Sequence, residues 1–450
     1  MGETQSLANF VADTTINDIP PEVLEKSKEA IIDYIGVALY GSQHEVGERV
    51  AAYVSEAYGS GPAQMFVRES VSAPGAALAN GAFGHAIDFD DTFESIVIHP
   101  SSPVFAAAFA MGEDADATGS DVLTAYVVGV DTAYRTGHST YPSHYDNGWH
   151  STGTVGTFGA TAAAASILNL SAEEICSAFG IAASCSSSLK KNFGTMTKPL
   201  HAGHAGEMGV RAALLAHRGF TSDSAVFEGD LGYGNVMTVG DTYDPSAITD
   251  DLKTEWAAMD IGYKPYPSGV ITHAAMDALR DIVIDNDIAP DDVESIVVSL
   301  DDAASEMLHH KDPQNALEAK FSIEFCLASV LRVRDPGIHE FTDEYVTAPE
   351  TRAEIEKISR DFEPNLFGGN FANYAARVTV VTTSGEEFTN EEKFAPGHPN
   401  NPISQERLEA KFRECVATVI SEEEADDLLD VIAHLDEEDN FARFREHVSA

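Results

Sequence analysis

Cysteine is scarce in this chain. The four present, Cys176, Cys185, Cys326 and Cys415, have no CxxC or other metal-type spacing. A disulfide framework and a cysteine metal site are therefore excluded, and buried free thiols in a reducing, cytoplasmic compartment are expected. Basic residues are also few: 27 Lys and Arg stand against 73 Asp and Glu, for a formal net charge of −46. Phosphate binding needs a basic face, so nucleic acid and anionic membrane are excluded as partners. Long apolar runs are missing. The most hydrophobic uncharged stretch, Thr152 to Leu170, is mostly Gly, Ala, Thr and Ser, which suits a close-packed buried helix rather than a membrane span. Gly2, Glu3, Thr4 and Gln5 follow Met1, and this is not a signal peptide. There is no G-x-S-x-G elbow after a strand, no GxGxxG in βαβ context, no P-loop and no HExxH. What remains is acid/base chemistry without a cofactor.

At 450 residues the chain is too long for one ordinary core, and two domains are expected. With 44% hydrophobic residues it is not disordered, so the acids must coat a folded surface. That surface resembles those of cytosolic proteins from salt-accumulating halophiles, where salt screens self-repulsion. Single acids then say little, and each basic residue says more.

The sharpest local feature is residues 175–206, which contain no Asp or Glu where the chain average would place about five. Lys190, Lys191, Lys198, His201 and His204 stand there instead. An acid-rich chain that clears one window makes room for an anion, and a pocket for a small carboxylate is the expectation.

Helical spacing begins at Pro20 in PPEVLEKSKEAIIDYIGVALYG and recurs over 46–58, 73–86, 103–113, 120–134, 153–168, 172–182 and 204–218. Ser120 and Ser171 are the expected N-caps, Ser171 with Glu174 as a capping box. One short strand, 63–67, interrupts this helical domain. The pattern changes at Lys264-Pro265-Tyr266-Pro267. Beyond it come a helix at 272–286, a strand at 295–300 and a hairpin turning at Ser384-Gly385. Helices at 404–418, 422–434 and 437–447 close the chain. The predicted fold is mostly α with an α+β second domain: a large helical domain, 1–263 completed by 396–450, and a smaller α+β lid, 264–395.

Four constellations could carry chemistry. His85-Ala-Ile-Asp88-Phe-Asp90-Asp91-Thr92, followed by His99, offers a carboxylate proton acceptor beside a His, with Thr92 to orient it. The same residues could be read as a metal site, but three acids within four residues are weak evidence of ligation in so acidic a chain. His150 precedes a helix N-terminus, which favours anions. The glycines that follow it suit tight helix packing. Lys198, with His201 and His204, can bind a carboxylate and stabilise an enolate-like intermediate. Lys264 and His273 flank the domain boundary, where clefts form.

Taken together, NGAFGHAIDFDDTF with IHPSS, GWHSTGTVGTFGATAAAA, KPLHAGHAGEMGVRAALLAHRGF, KPYPSGVITHAAMDA, FSIEF and GHPNNPISQERLEAKF resemble the MmgE/PrpD family: 2-methylcitrate dehydratases, cis-aconitate decarboxylases and iminodisuccinate epimerases. The resemblance runs in family order over nearly the whole chain. It implies a helical domain with an α+β lid, a homodimer, and neither metal nor organic cofactor. It also implies a pocket of Asp88, Thr92, His99, His150, Lys198 and His273. In that pocket His150 or Asp88 handles the proton, Lys198 and His99 hold carboxylates and developing charge, and His273 closes from the lid. Lys264 and His201 join as substrate-binding candidates. The sequence departs from the family where Phe325 stands in place of the Tyr of an FSxxY-type motif, and FESIVI between Thr92 and His99 does not match the pattern.

The leading expectation is a cofactor-free lyase dehydrating a 2-methylcitrate-like hydroxy acid. Decarboxylation of cis-aconitate or epimerisation of iminodisuccinate in the same pocket are the alternatives. A metal hydrolase built on His85, Asp88, Asp90 and His99 is a remote one, and an idle carboxylate-binding protein another.

Overall fold

The computed structural model describes every residue except 1, 302, 303, 305, 306, 309, 365, 367–373, 438, 439 and 450. The chain is mostly helical, with a small mixed sheet in its second part. Residues 1–261 with 408–450 form one compact unit, and 262–407 the other.

In the first unit the expected helices are present, several of them longer than their apolar pattern. Helices Glu3–Asp13, Pro21–Gln43 and Glu45–Ala57 are followed by a two-residue antiparallel pair, β1 (Ala63–Gln64) and β2 (Ser70–Val71). Then come Ala73–Gly84, Ser101–Ala115, Gly119–Thr140, Ser151–Ile167, Ala172–Cys185 and Thr197–His217. The N-terminal helix, Glu3–Asp13, carries Leu7, Phe10 and Val11 on its buried face and is an addition to the helices expected from sequence. Ser171 caps its helix with Glu174 as the reciprocal partner. Ser120 does not cap: Thr118 does, in a capping box with Asp121, while the Ser120 hydroxyl donates to the Asp436 carbonyl at 2.7 Å.

Helices Ala73–Gly84 and Ser151–Ile167 are buried nearly all round, the mark of core helices. Small residues let the backbones touch. A Cβ on Gly159 would come within 2.7 Å of the Gly129 carbonyl oxygen, and one on Gly81 within 2.9 Å of Gly203 Cα. The glycine series after His150 is thus a packing device, as its lack of a preceding strand implied. The Gly81–Gly203 crossing matters for the site. His85 lies one turn beyond Gly81, and Lys198 and His201 lie within about a turn and a half before Gly203.

In the second unit the sheet order is β4–β3–β5–β6. Strand β3 (Val293–Asp301) pairs in parallel with β4 (Ile358–Glu363), Ile296 opposite Ile358, and antiparallel with β5 (Ala376–Thr382), Val297 opposite Thr379. Strands β5 and β6 (Glu387–Glu392) form the expected hairpin around Gly385, whose φ is 85°. The buried positions of β5 alternate, Ala376, Val378, Val380 and Thr382, and with helices His273–Asp285 and Ile323–Val333 they build this unit's core. Residues just after the hairpin belong here too: Tyr263 N donates to Gly397 O at 3.0 Å, and Arg407 lies 3.5 Å from Asp277. The closing helices are Gln405–Val416, Glu422–Ala433 and Asn440–His447. Positions 438 and 439 of the last expected helix fall outside the described residues.

Candidate active site

Four helix ends of the first unit meet at one cluster. His85 follows the last turn of Ala73–Gly84, and the chain then turns through Asp88, whose φ is +57°. Asp is one of the few side chains that tolerates this left-handed conformation. His99 precedes the helix Ser101–Ala115, and its backbone N–H donates to Thr152 Oγ1 at 3.1 Å. His150 is the N-cap residue of Ser151–Ile167. Lys198 and His201 lie one turn apart in Thr197–His217, which starts seven residues before the expected position. Pro199 falls in the first turn, where its missing N–H costs no helical hydrogen bond.

The contacts run in a chain. Lys198 Nζ sits 2.7 Å from Asp88 Oδ2, and Asp88 Oδ1 is 3.7 Å from His99 Nε2. The other nitrogen of His99 is 3.2 Å from Asp90 Oδ1. Asp90 accepts from His85 Nδ1 at 2.9 and 3.0 Å and from Ser102 Oγ at 2.6 Å. The His85 ring stacks on His150 with centroids 5.9 Å apart, and His150 Nδ1 meets His201 Nδ1 at 2.9 Å. Phe193 stands edge-on to His150 and near Lys198 Nζ.

Burial divides these groups into mouth and floor. The side chains of Asp88, Lys198 and His99 keep 11, 10 and 13% of their surface, while Asp90 has none. On the floor burial sets the protonation states. Burial pushes His85 down to about 4 against the opposing pull of Asp90. It also holds His150 well below the usual histidine range, with Lys198 adding to the effect. His201 falls to about 4 through burial, then through His204 and Lys198. Burial alone would raise Asp90, but the facing imidazoles outweigh it and hold the carboxyl well below its ordinary value. Two neutral imidazoles meeting through their Nδ1 atoms must be opposite tautomers, one donating and one accepting. The floor is thus one carboxylate and three uncharged rings, and the mouth holds a Lys–Asp ion pair beside a fourth ring.

Asp88, His99, His150, Lys198 and His201 therefore come together. Thr92 is buried just before the Phe93–Ile98 bridge. Lys264 and His273 are both buried in the second unit, where His273 Nε2 lies 3.2 Å from Ser268 O. Of the other basic residues in the acid-free window, Lys190 lies over the Tyr145 ring at 3.5 Å and donates to its carbonyl, and Lys191 is exposed. His85 and Asp90 stood out in sequence only within an acid-rich string, the family-like NGAFGHAIDFDDTF stretch and the remote metal reading, and Ser102 only as the last residue of IHPSS.

His85, Asp88, Asp90 and His99 could each offer one ligand atom within 4.8 Å of the others. Lys198 already sits on Asp88, so a divalent cation would have to displace an ammonium. A groove of about 880 Å3, lined by Trp149, Leu189, Met196, Leu200, His201 and His204 among others, opens beside the cluster. Asp88, Lys198 and His99 do not line it, and His201 is the member of the cluster it reaches.

Comparison with known proteins agrees over both units. The MmgE/PrpD N-terminal domain matches residues 5–246, and the MmgE/PrpD C-terminal domain matches 266–437. The chain is 26% identical over 449 residues to a cis-aconitate decarboxylase of Homo sapiens, covering 96% of this chain and 92% of that protein. It is 27% identical over 450 residues to a cis-aconitate decarboxylase of Mus musculus, covering 96% and 91%. A cis-aconitate decarboxylase of Aspergillus terreus is 24% identical over 462 residues, covering 97% and 93%.

Proposed function

The chain belongs to the MmgE/PrpD family, and from that premise we propose that it is a cofactor-free lyase that decarboxylates a small tricarboxylate of the cis-aconitate type. One observation carries the reading: the Lys198–Asp88 pair beside His99, at the mouth of a buried cluster of uncharged imidazoles. Lys198 holds a substrate carboxylate. That carboxylate arrives against Asp88, and two anions in contact favour uptake of one proton, which Asp88 or His99 then carries. As the bond to the departing carboxylate breaks, its electron pair moves into the adjacent unsaturated carbon framework and CO2 leaves. The stored proton is delivered to carbon, so a trianion and a proton become a dianion and CO2. The His150–His201 pair, reached from the groove at His201, supplies a route for the replacement proton.

A second reading, dehydration of a 2-methylcitrate-like hydroxy acid, is favoured by Phe325. The hydroxyl that decarboxylase-like members carry at that position is missing, and the Phe325 ring is core, edge-on to Phe341 at 5.3 Å.

The test is a substrate panel of cis-aconitate, 2-methylcitrate, citrate and iminodisuccinate. It is run in concentrated KCl with EDTA and followed by NMR in deuterated water. Release of CO2 from cis-aconitate with one deuterium gained on carbon is the expected result. Water lost from 2-methylcitrate would establish the second reading instead, and exchange without net product would indicate an epimerase. Silence reversed by a divalent cation would overturn the cofactor-free reading.

A further inference from the structure

The reaction just described leaves Asp90 without a part, although it is the best-connected group in the cluster. It is fully buried. Its oxygens lie 2.9 and 3.0 Å from His85 Nδ1, 3.2 Å from His99 Nδ1 and 2.6 Å from Ser102 Oγ. We propose that Asp90 is the positioning residue of this site, one carboxylate that hydrogen-bonds the Nδ1–H of His85, faces His99 Nδ1 at 3.2 Å, and so keeps both Nε2 atoms for the reaction side.

An ionised carboxylate only accepts hydrogen bonds. Each imidazole nitrogen facing it must therefore carry a hydrogen, and the proton that changes hands is at Nε2. For His99 the consequence is direct. Its Nε2 points to Asp88, 3.7 Å away at the mouth, while its Nδ1 faces Asp90 Oδ1 behind it at 3.2 Å, within ion-pair distance but outside hydrogen-bond geometry among the described residues. A proton arriving at Nε2 makes an imidazolium clamped between two carboxylates, the role that the buried Asp plays for the His of a Ser–His–Asp triad. His85 is the second ring on the same anchor. Its Nε2 is buried and has no hydrogen-bond partner among the described residues, and an unpaired buried acceptor is a cost that a purely structural ring need not carry. The anchor stays ionised because the facing rings and their hydrogen bonds outweigh its burial. The neighbouring Asp91 provides the contrast. It is equally buried but bonds Ser101 N at 3.2 Å and Ser101 Oγ at 2.5 Å rather than an imidazole, and burial with the nearby Asp33 raises its pKa.

The kinetic arm of the test rests on the lyase reading, and the spectroscopic arm does not. Nitrogen-15 NMR of imidazole-labelled wild-type protein, with His85→Gln and His99→Gln for assignment, should show a proton-bearing Nδ1 in both rings from pH 6 to pH 9. A bare Nδ1 in either ring overturns the proposal, whether or not any variant folds. In turnover, Asp90→Asn should lower kcat by up to roughly 10⁴, the loss known for the triad carboxylate. Its KM should stay within about threefold, and the acid limb of its pH profile should move to lower pH. Asp91→Asn should leave that limb in place. Wild-type kcat and pH profile in Asp90→Asn, or the same shift in Asp91→Asn, would reduce Asp90 to a structural carboxylate. If no panel substrate turns over, the lyase reading falls and the tautomers alone decide the positioning role.

Discussion

Replacing Lys198 by Met tests the mouth of the site through both stability and turnover. The ammonium is 2.7 Å from Asp88 Oδ2, and both side chains are about nine-tenths buried. At an effective dielectric constant of about 20, their attraction is about 6 kcal/mol. Taking both charges out of water offsets most of it, so the pair adds little net stability. Breaking it is another matter, because one charge is then left in a dry place, which costs about 3–5 kcal/mol for a fully buried pair. Allowing for the residual exposure, Lys198→Met should lose about 2–3 kcal/mol. Asp88→Asn should lose a similar amount, since Asn tolerates the left-handed backbone there. The double variant removes both charges and should return to within about 1 kcal/mol of wild type, for a coupling of about 3 kcal/mol or more. Turnover should behave differently: loss of one preorganised cation lowers kcat by roughly 10²–10³, and removing Asp88 as well restores nothing. Denaturant unfolding of the four proteins at fixed KCl, with turnover on the panel substrate, measures both. Stabilities additive within about 0.5 kcal/mol, or full turnover in Lys198→Met, would refute the ion-pair account of the site.

Three other outcomes follow from the same geometry. His201 sits at about 4 in the fold against about 6.5 unfolded. Its contribution is therefore whole above pH of about 6.5 and is lost as pH falls from there toward about 4. Because Glu113, raised to about 7 by burial, acts in the opposite sense, the check is the wild-type minus His201→Gln difference in denaturant midpoint. That difference should shrink on going from pH 7.5 to 5, and a constant one contradicts the assignment. Gly203→Ala would drive a Cβ into the Leu78 carbonyl oxygen and to 3.0 Å from Ala82 N. It should cost about 1–3 kcal/mol in unfolding experiments, as overpacking does. Raising KCl from 0.1 to 1 M shortens the screening length from about 10 to about 3 Å. It should therefore lower KM for a tricarboxylate, since the −46 charge repels at long range while Lys198 attracts in contact. A KM that climbs steeply with salt would show that long-range attraction governs binding.

What could be read in the sequence, and what could not, follows from how far each feature reaches along the chain. The core helices announce themselves because 3.6-residue periodicity is local, and Ser171 is a readable cap because its partner is three residues away. Ser120 looked equally good, but Thr118 and Asp121 make the box and the Ser120 hydroxyl goes to a carbonyl 316 positions away. Strand β4, ISRDFE, escaped notice because only Ile358 and Phe362 are apolar and its partner β3 lies across a long crossover. Lys198 and His201 stood out by charge contrast, yet Lys190 in the same window is spent on Tyr145. Asp90 is the instructive case. In a chain with 73 acids another aspartate carries little weight by itself, and the family-like stretches that hold it, His85 and His99 do not show that it faces both rings. The left-handed turn at Asp88 and the packing of four helix ends bring both rings to its oxygens and shut water out. In so acidic a chain, a carboxylate's part in chemistry depends on whether water reaches it, and burial is set by the whole fold rather than by the residues beside it.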